Sequence, residues 1–523
     1  MRAPPAALPE AERNRRLRRV DWRFLLPKPH PARTLCLAQG PLAEAVALVS
    51  GEVVSAAQPG TCDLALAEDP DDRTLAALSA ALRPGGACYT EWRRPRLRGA
   101  ARAAAALSRA GFEQIACYWP WPRSASGGPR YWIPLGAPGA AAYVQSRNRT
   151  EGAWLRRVAA ASAHAARDAA LGLRCTRPVC AISLRPPAGG NAPVPWLRTN
   201  WSGWAVGAAP ANPSRLLLTG GPRSVSKVVT LVFDEPDPHP RLAIKAPRVP
   251  ESFGPLQREA AVLTALGRRP AAALPPGVPR CLFAREVDGV PLLGETVVAG
   301  RPLETLLSAA NLHSWAMQGA DWLTGLARGD PRPPTGHWWH TYVQPALADF
   351  AASFGPVLDP DTLQTAEAVL REIEGLPAVC EQRDFAPWNV LISPGGQFAV
   401  LDWESAVIEG LPVLDLLYFV AHLTFNVDHA EHLDNRVASY RRALDPDTAT
   451  GAVRRDCLAH YCARLGLPPA QLGPLRVLVW LVHARSEFLH FAADAAGHPD
   501  TAALRRSLFL ALWQEEMRHV TAR

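Results

Sequence analysis

The sequence predicts an α/β half followed by an α+β half, on three observations. From Thr34 to about Leu135 short apolar runs alternate with helical patterns, as in a parallel sheet with crossover helices. Arg215 to Val298 reads as a small antiparallel sheet interrupted by one helix, Gly254 to Leu266. From Leu303 onward the pattern is almost wholly helical, except between Glu381 and Trp403, where loop and strand signals return.

In the first half the expected strands are Leu35 to Ala38, Glu52 to Val54, Asp63 to Ala67, Ala87 to Glu91, Gln114 to Trp119 and Tyr131 to Leu135, with helices between most of them. An alanine-rich helical stretch, Glu151 to Leu171, leads into Arg185 to Pro195, whose prolines and paired glycines mark an interdomain linker. The expected divisions are a basic segment over 1–33, an α/β domain over 34–150, helix and linker over 151–200, a sheet-rich lobe over 201–300 and a helical lobe over 301–523. A chain of 523 residues exceeds what one core usually organises. Its 48% apolar and 20% charged residues fit a globular protein, and 51 prolines with 38 glycines imply many turns.

The net charge of +8 comes from arginine scattered through helices, with one dense stretch at Arg13, Arg15, Arg16, Arg18 and Arg19. No aromatic residues interleave with that stretch, so it reads as a solvated basic tail and no nucleic-acid partner is expected. The longest uncharged apolar stretches, such as the one after Asp415, are too short for a membrane span, and the N-terminus lacks the apolar core of a signal peptide. A cytoplasmic protein is expected. Ten cysteines occur with no Cys-x-x-Cys pair, which reads as buried free thiols.

The strongest signal is EQRDFAPWNVLISPGGQFAVLDWES, from Glu381 to Ser405. Asp384 stands five residues before Asn389 on a loop feeding a short strand, and a Pro-Gly-Gly turn returns the chain to Asp402. Phosphoryl transfer needs such a set: one carboxylate to orient and deprotonate the attacking hydroxyl, an amide and a second carboxylate to hold magnesium against nucleotide phosphates.

This spacing, with its Leu-Asp-Trp ending, resembles the Brenner-type motif of the aminoglycoside phosphotransferase and choline kinase family, a two-lobed protein-kinase-like fold. The resemblance implies Asp384 as catalytic base, Asn389 and Asp402 as Mg ligands and Asp415 as a carboxylate supporting the loop. Where the family pattern has histidine, two residues before the base, this chain has Gln382, and it has Arg383 where glycine is common. The histidine braces the loop by hydrogen bonding, which a glutamine can also do.

A kinase N-lobe should add a glycine-containing nucleotide loop, a strand lysine and a helix glutamate, and all three follow in order. Leu216 to Thr219 reads as a strand, Gly220 and Gly221 open a loop, and Val228 to Phe233 returns. Leu242 to Lys245 gives Leu-Ala-Ile-Lys, and the next helix carries Glu259, expected to pair with Lys245. Among 56 basic residues only Lys28, Lys227 and Lys245 are lysines. One therefore falls where a compact ammonium must reach the phosphates of ATP. Glu295 to Leu303 resembles the family's connection between lobes, where backbone groups of Thr296 to Val298 would meet the adenine.

The first domain resembles class I S-adenosylmethionine methyltransferases, a Rossmann-like fold, through LRPGGACY at Leu82 to Tyr89, a helix, and Ala110-Gly111-Phe112. A cofactor site there needs a glycine-rich first turn and an acid after the second strand. The first turn has only Gly40, Glu52 to Val54 is followed by serine and alanines, and about 25 residues separate the first strand from Asp63, fewer than the roughly 30 of a βαβ unit. One unit reads as deleted, and the domain as degenerate, with Asp63 and Glu91 as capping or solvated acids and no binding of S-adenosylmethionine.

The expected function is an ATP-dependent phosphotransferase acting on an alcohol group of a small molecule, neutral or anionic, such as a sugar or glycoside. Two alternatives stay open: a nucleotide-binding pseudokinase scaffold, and a methyltransferase regulated by a kinase-like domain.

Overall fold

The computed structural model describes residues 10–93, 99–121, 128–148, 178–186, 201–204, 207–220, 227–287, 289–328, 338–373, 375–494 and 500–522. Two compact units result, the first formed by Met1–Gln257 with Cys281–Val297, the second by Arg258–Arg280 with Val298–Arg523. The expected helix Glu151 to Leu171, most of the expected linker and Gly221 lie outside the described residues.

The first unit is built on one sheet. Its strands are β1 (Arg33–Cys36), β2 (Glu52–Val54), β3 (Cys62–Glu68), β4 (Leu82–Trp92), β5 (Glu113–Trp121), β6 (Tyr131–Pro134), β7 (Val179–Leu184), β8 (Pro213–Leu218), β9 (Lys227–Asp234), β10 (Leu242–Pro247), β11 (Cys281–Val287) and β12 (Val290–Glu295). Their spatial order is β11-β12-β10-β9-β8-β6-β5-β7-β4-β3-β1-β2. β1 pairs in parallel with β2 and β3, and β3 with β4. From β4 to β11 every neighbouring pair is antiparallel.

All nine strands expected up to Lys245 are present within a few residues. β7 was missed. Its six residues, Val-Cys-Ala-Ile-Ser-Leu, are all buried and run antiparallel between β4 and β5. Such an uninterrupted apolar run lacks the two-residue alternation that marks a half-exposed strand. β6 joins β5 on one side and β8 on the other, so the sheet runs unbroken from the parallel strands into the antiparallel ones.

The basic segment is not a solvated tail. After the helix Glu10–Leu17 a 3-10 helix, Arg18–Leu25, lays Val20, Trp22 and Leu25 into a core shared with Tyr89 of β4, Trp132 of β6, Leu217 of β8 and Val228 of β9. Trp22 stacks on Tyr89 with ring centroids 3.7 Å apart. The arginines have protein partners: Arg13 with Glu251, Arg16 with Glu12 and Glu44, and Arg19 with both carboxylate oxygens of Glu91 at 2.6 Å. Arg18 donates to the Gly220 carbonyl at 2.7 Å. The apolar residues interleaved at Val20, Trp22 and Leu25 are what turn the segment inward, because burying them outweighs the cost of pairing the arginines.

The second unit is helical around two small sheets. β13 (Arg301–Pro302), β15 (Val390–Ile392) and β16 (Phe398–Val400) form one sheet, and β14 (Val379–Glu381) with β17 (Val407–Gly410) a second. The helix Leu414–Val427, which starts at the apolar stretch around Asp415, is buried along Leu414 to Phe425 and forms the centre of the unit. A helix apolar on every side belongs inside a core. Among the described residues no helix is long and apolar enough to cross a membrane, and nine free cysteines are found, seven of them buried.

Candidate active site

The run Glu381 to Ser405 folds as a loop, a hairpin and a second loop. Val390 faces Val400 in the hairpin, and the Leu401 amide donates to the Asn389 carbonyl at 2.9 Å. Asn389 and Asp402 are thereby brought alongside each other at the open end of the hairpin. At the other end Gly396, with φ +76°, closes the Pro-Gly-Gly turn.

Asp384 sits in the first loop. Its carboxylate accepts from Asn389 Nδ2 at 2.6 Å and from the Tyr418 hydroxyl at 3.1 Å. Burial raises its pKa to about 7, the Asp402 charge adds to the rise, and the Tyr418 and Asn389 hydrogen bonds oppose it. Tyr418 stays protonated, since burial and the Asp384 charge push the phenol well above its ordinary value.

Gln382 braces the loop. Fully buried, it donates through Nε2 to the carbonyls of Leu401 and Asp402, at 2.9 and 2.6 Å, and accepts the Asp384 amide on Oε1 at 2.8 Å. One side chain therefore ties the loop of Asp384 to the backbone of Asp402. Asp415 completes the brace by accepting the amides of Gln382 and Arg383 at 2.6 and 2.7 Å.

Arg383 has φ +68°, in the left-handed region where glycine is favoured. A non-glycine residue there costs roughly 1–2 kcal/mol. The Asp415 bond to its amide and a 2.7 Å ion pair from its Nε to Glu381 offset that cost. Glu381 is itself buried, also accepts the Leu411 amide, and lies against Gly410, where any Cβ would run into the Glu381 carboxyl.

Lys245, buried on β10, forms an ion pair with Glu295 Oε1 at 2.9 Å. The register sets Lys245 opposite Leu293 and Ala243 opposite Glu295, so the two charges are diagonal neighbours on one face of the β10–β12 pair. Glu259 is buried and accepts the Trp403 amide at 3.0 Å, holding the residue after Asp402. Gly220 follows β8, with φ +72°. Thr296 and Val298 follow β12, and the division between the two units falls between Val297 and Val298.

Two of these residues were missed. Tyr418 stands three residues after Asp415, and on a helix that spacing puts both on one face; a reading of that face would have found it. Glu295 was read only as the start of a connection, and its place beside Lys245 is visible only once strand register is known. Asp63 and Glu91, expected as capping or solvated acids, are paired within the sheet unit instead: Glu91 is fully buried and accepts from Arg19 and the Tyr89 hydroxyl, while Asp63 accepts the Arg33 amide and pairs with Arg83.

Residues 223–452 match the phosphotransferase enzyme family, APH. No curated protein matches the chain in sequence. Among solved structures, the macrolide 2'-phosphotransferase MphH from Brachybacterium faecium shares 17% identity over 61% of this chain and 98% of its own, with a TM-score of 0.38. The ADP-bound aminoglycoside phosphotransferase APH(2'')-Ib shares 11% over 62% and 97%, with a TM-score of 0.36. A thermostable mutant of the aminoglycoside phosphotransferase APH(4)-Ia shares 16% over 58% and 94%, with a TM-score of 0.35.

Proposed function

We propose, from the match of residues 223–452 to the phosphotransferase enzyme family, that the chain transfers the γ-phosphate of ATP to a hydroxyl of a small neutral or anionic metabolite, a sugar or glycoside among the candidates. The observation that carries this reading is the Asp384 carboxylate, held from both sides by Asn389 and Tyr418 and with its pKa raised to about 7. That is where a general base for an alcohol works best near neutral pH. The Gln382 hydrogen bonds support an active loop over a silent scaffold.

In this mechanism the acceptor hydroxyl gives its proton to Asp384 as its oxygen bonds to the γ-phosphorus. The bond from that phosphorus to the β-bridging oxygen breaks, and ADP leaves with the electron pair. Lys245 neutralises nucleotide phosphates as a compact charge. Backbone groups of Gly220, Gly221, Thr296 and Val298 would contact the nucleotide, and Glu259 fixes the backbone beside Asp402.

Asn389 and Asp402 supply an amide and a carboxylate oxygen, the hard donors Mg2+ prefers. The charge of Asp402 acting on Asp384 is the kind of repulsion a cation relieves. Bound there, Mg2+ would offset negative charge on the phosphates. The N-terminal strands we read as a degenerate methyltransferase-like scaffold, supported by the internal pairing of Glu91 and Asp63.

An ATP-consumption screen over hydroxylated metabolites tests the reaction. Asp402→Ala should weaken Mg-ATP binding in isothermal titration at least tenfold, and equal affinity would count against Asp402 as a ligand. Lys245→Arg should lower turnover at least tenfold, about 1.4 kcal/mol of transition-state stabilisation. A planar guanidinium demands a bidentate geometry that an ammonium beside Glu295 does not. Unchanged kinetics would take Lys245 out of the phosphate site.

A further inference from the structure

The helix Leu414–Val427 carries more than the brace for the catalytic loop. One turn beyond Tyr418 it presents His422, and the two rings are 4.4 Å apart. His483, from the helix Leu472–Asp494, stacks on Tyr418 at 4.4 Å and 20°. Trp388, the residue before Asn389, meets His422 edge-on at 4.8 Å. Aromatic and imidazole rings therefore run from the surface indole down to the hydroxyl that holds Asp384.

Three features of this wall have no role in packing alone. Both imidazoles are buried, at 7% and 5% exposure, and among the described residues the Nε2 of each has no hydrogen-bond partner. Buried polar atoms without partners are rare enough to need a reason. Trp388 is 41% exposed, and the other exposed large apolar residues described, Leu37, Val53 and Leu489, are aliphatic. A lone exposed leucine asks for no explanation. An indole on the loop of the base, backed by two unpaired imidazole nitrogens, does.

We propose that Trp388, His422 and His483 form the acceptor subsite, and that the subsite takes a neutral sugar ring. This rests on the phosphotransfer reading above. The apolar face of the ring packs on the indole, its hydroxyls pair with the two Nε2 atoms, and the hydroxyl to be phosphorylated reaches Asp384.

Charge narrows the class. Burial brings both imidazoles down to about 3, with Arg436 adding to the shift at His422, and His422 and Arg383 adding to it at His483, so they are neutral at pH 7. A cationic amino sugar or a quaternary ammonium would meet the positive field of Arg436, while Arg383 is already paired with Glu381. Glu487, which acts on Tyr418, is already engaged by the Ser507 hydroxyl and the amides of Leu508 and Phe509. An anionic acceptor would meet Asp402 and Glu404, which both act on Asp384. A neutral polyol ring avoids both conflicts and can donate to or accept from an imidazole nitrogen.

Saturation-transfer NMR and isothermal titration on the full chain test this with methyl hexopyranosides, a polycationic aminoglycoside and choline as probes. At least one neutral glycoside should bind. Trp388→Ala should weaken it about tenfold, Trp388→Phe should restore most of the loss, and Mg-ATP affinity and the melting temperature should stay as in the parent. His422→Leu, which keeps an apolar helix face, should weaken the same glycoside and serves as the second variant. Binding of cations only, binding of no glycoside, or glycoside affinity equal in parent and both variants would overturn the subsite while Mg-ATP binding kept the phosphotransfer reading. Glycoside binding without Mg-ATP binding would remove that reading instead, and the acceptor role with it.

Discussion

Asp384→Asn should lower turnover by roughly a hundredfold or more while leaving Mg-ATP affinity intact, because proton removal from the acceptor is lost and Asn389 and Asp402 remain. Stability should move the other way. The folded pKa of Asp384, about 7, lies above the ordinary carboxylate range. Between the two values the folded chain binds more protons than the unfolded one, so this group favours folding at low pH and the contribution is lost as pH rises to about 7. The slope is up to about 1.4 kcal/mol per pH unit in that interval. Asparagine titrates nowhere in it. In metal-free buffer the variant should gain melting temperature relative to the parent as pH rises from 4 to 7, with a constant gain above. Parent-like turnover would remove Asp384 from the mechanism, and melting curves offset equally at all pH values would contradict its burial.

Arg248→Met should be the most destabilising single change in the first unit. Arg248 and Asp21 are fully buried, and the guanidinium meets both carboxylate oxygens at 2.8 to 3.1 Å and donates to the Thr219 carbonyl at 2.8 Å. Breaking a buried pair costs about 3–5 kcal/mol, here toward the lower end because Arg18 and Arg23 also interact with Asp21. Domains this large shift about 2–4 °C per kcal/mol, so a melting temperature roughly 10 °C lower is expected. Adding Asp21→Asn should recover part of the loss, because the neutral amide no longer needs a counter-charge. If the double variant were no better than the single one, the pair would not be what ties the N-terminal segment to the sheet.

The geometry of the candidate site was legible along the chain because it is local. Asp384, Asn389 and Asp402 lie within one loop, hairpin and loop, whose turn residues specify their own geometry, and Gln382 could be judged as a brace from the hydrogen bonds an amide can make. Lys245 stood out for a different reason: it is one of three lysines among 56 basic residues. The alternating strands were legible too, since a two-residue period needs no partner to be seen.

What the tertiary structure decided are the relations between distant segments. Only strand register could set Glu295 beside Lys245, and only the packing of the helix around Asp415 could bring the Tyr418 hydroxyl to Asp384. β7 escaped because a strand buried on both faces has no period, and its neighbours β4 and β5 lie far from it in sequence. The N-terminal arginines read as solvated because charge dominates composition. Their pairing follows from carboxylates and carbonyls up to more than two hundred residues away, at Glu91, Gly220 and Glu251, and from the sheet face that takes Val20, Trp22 and Leu25. A local sequence carries its own backbone preferences, but whether a charge is exposed or paired is set by what the rest of the chain brings to it.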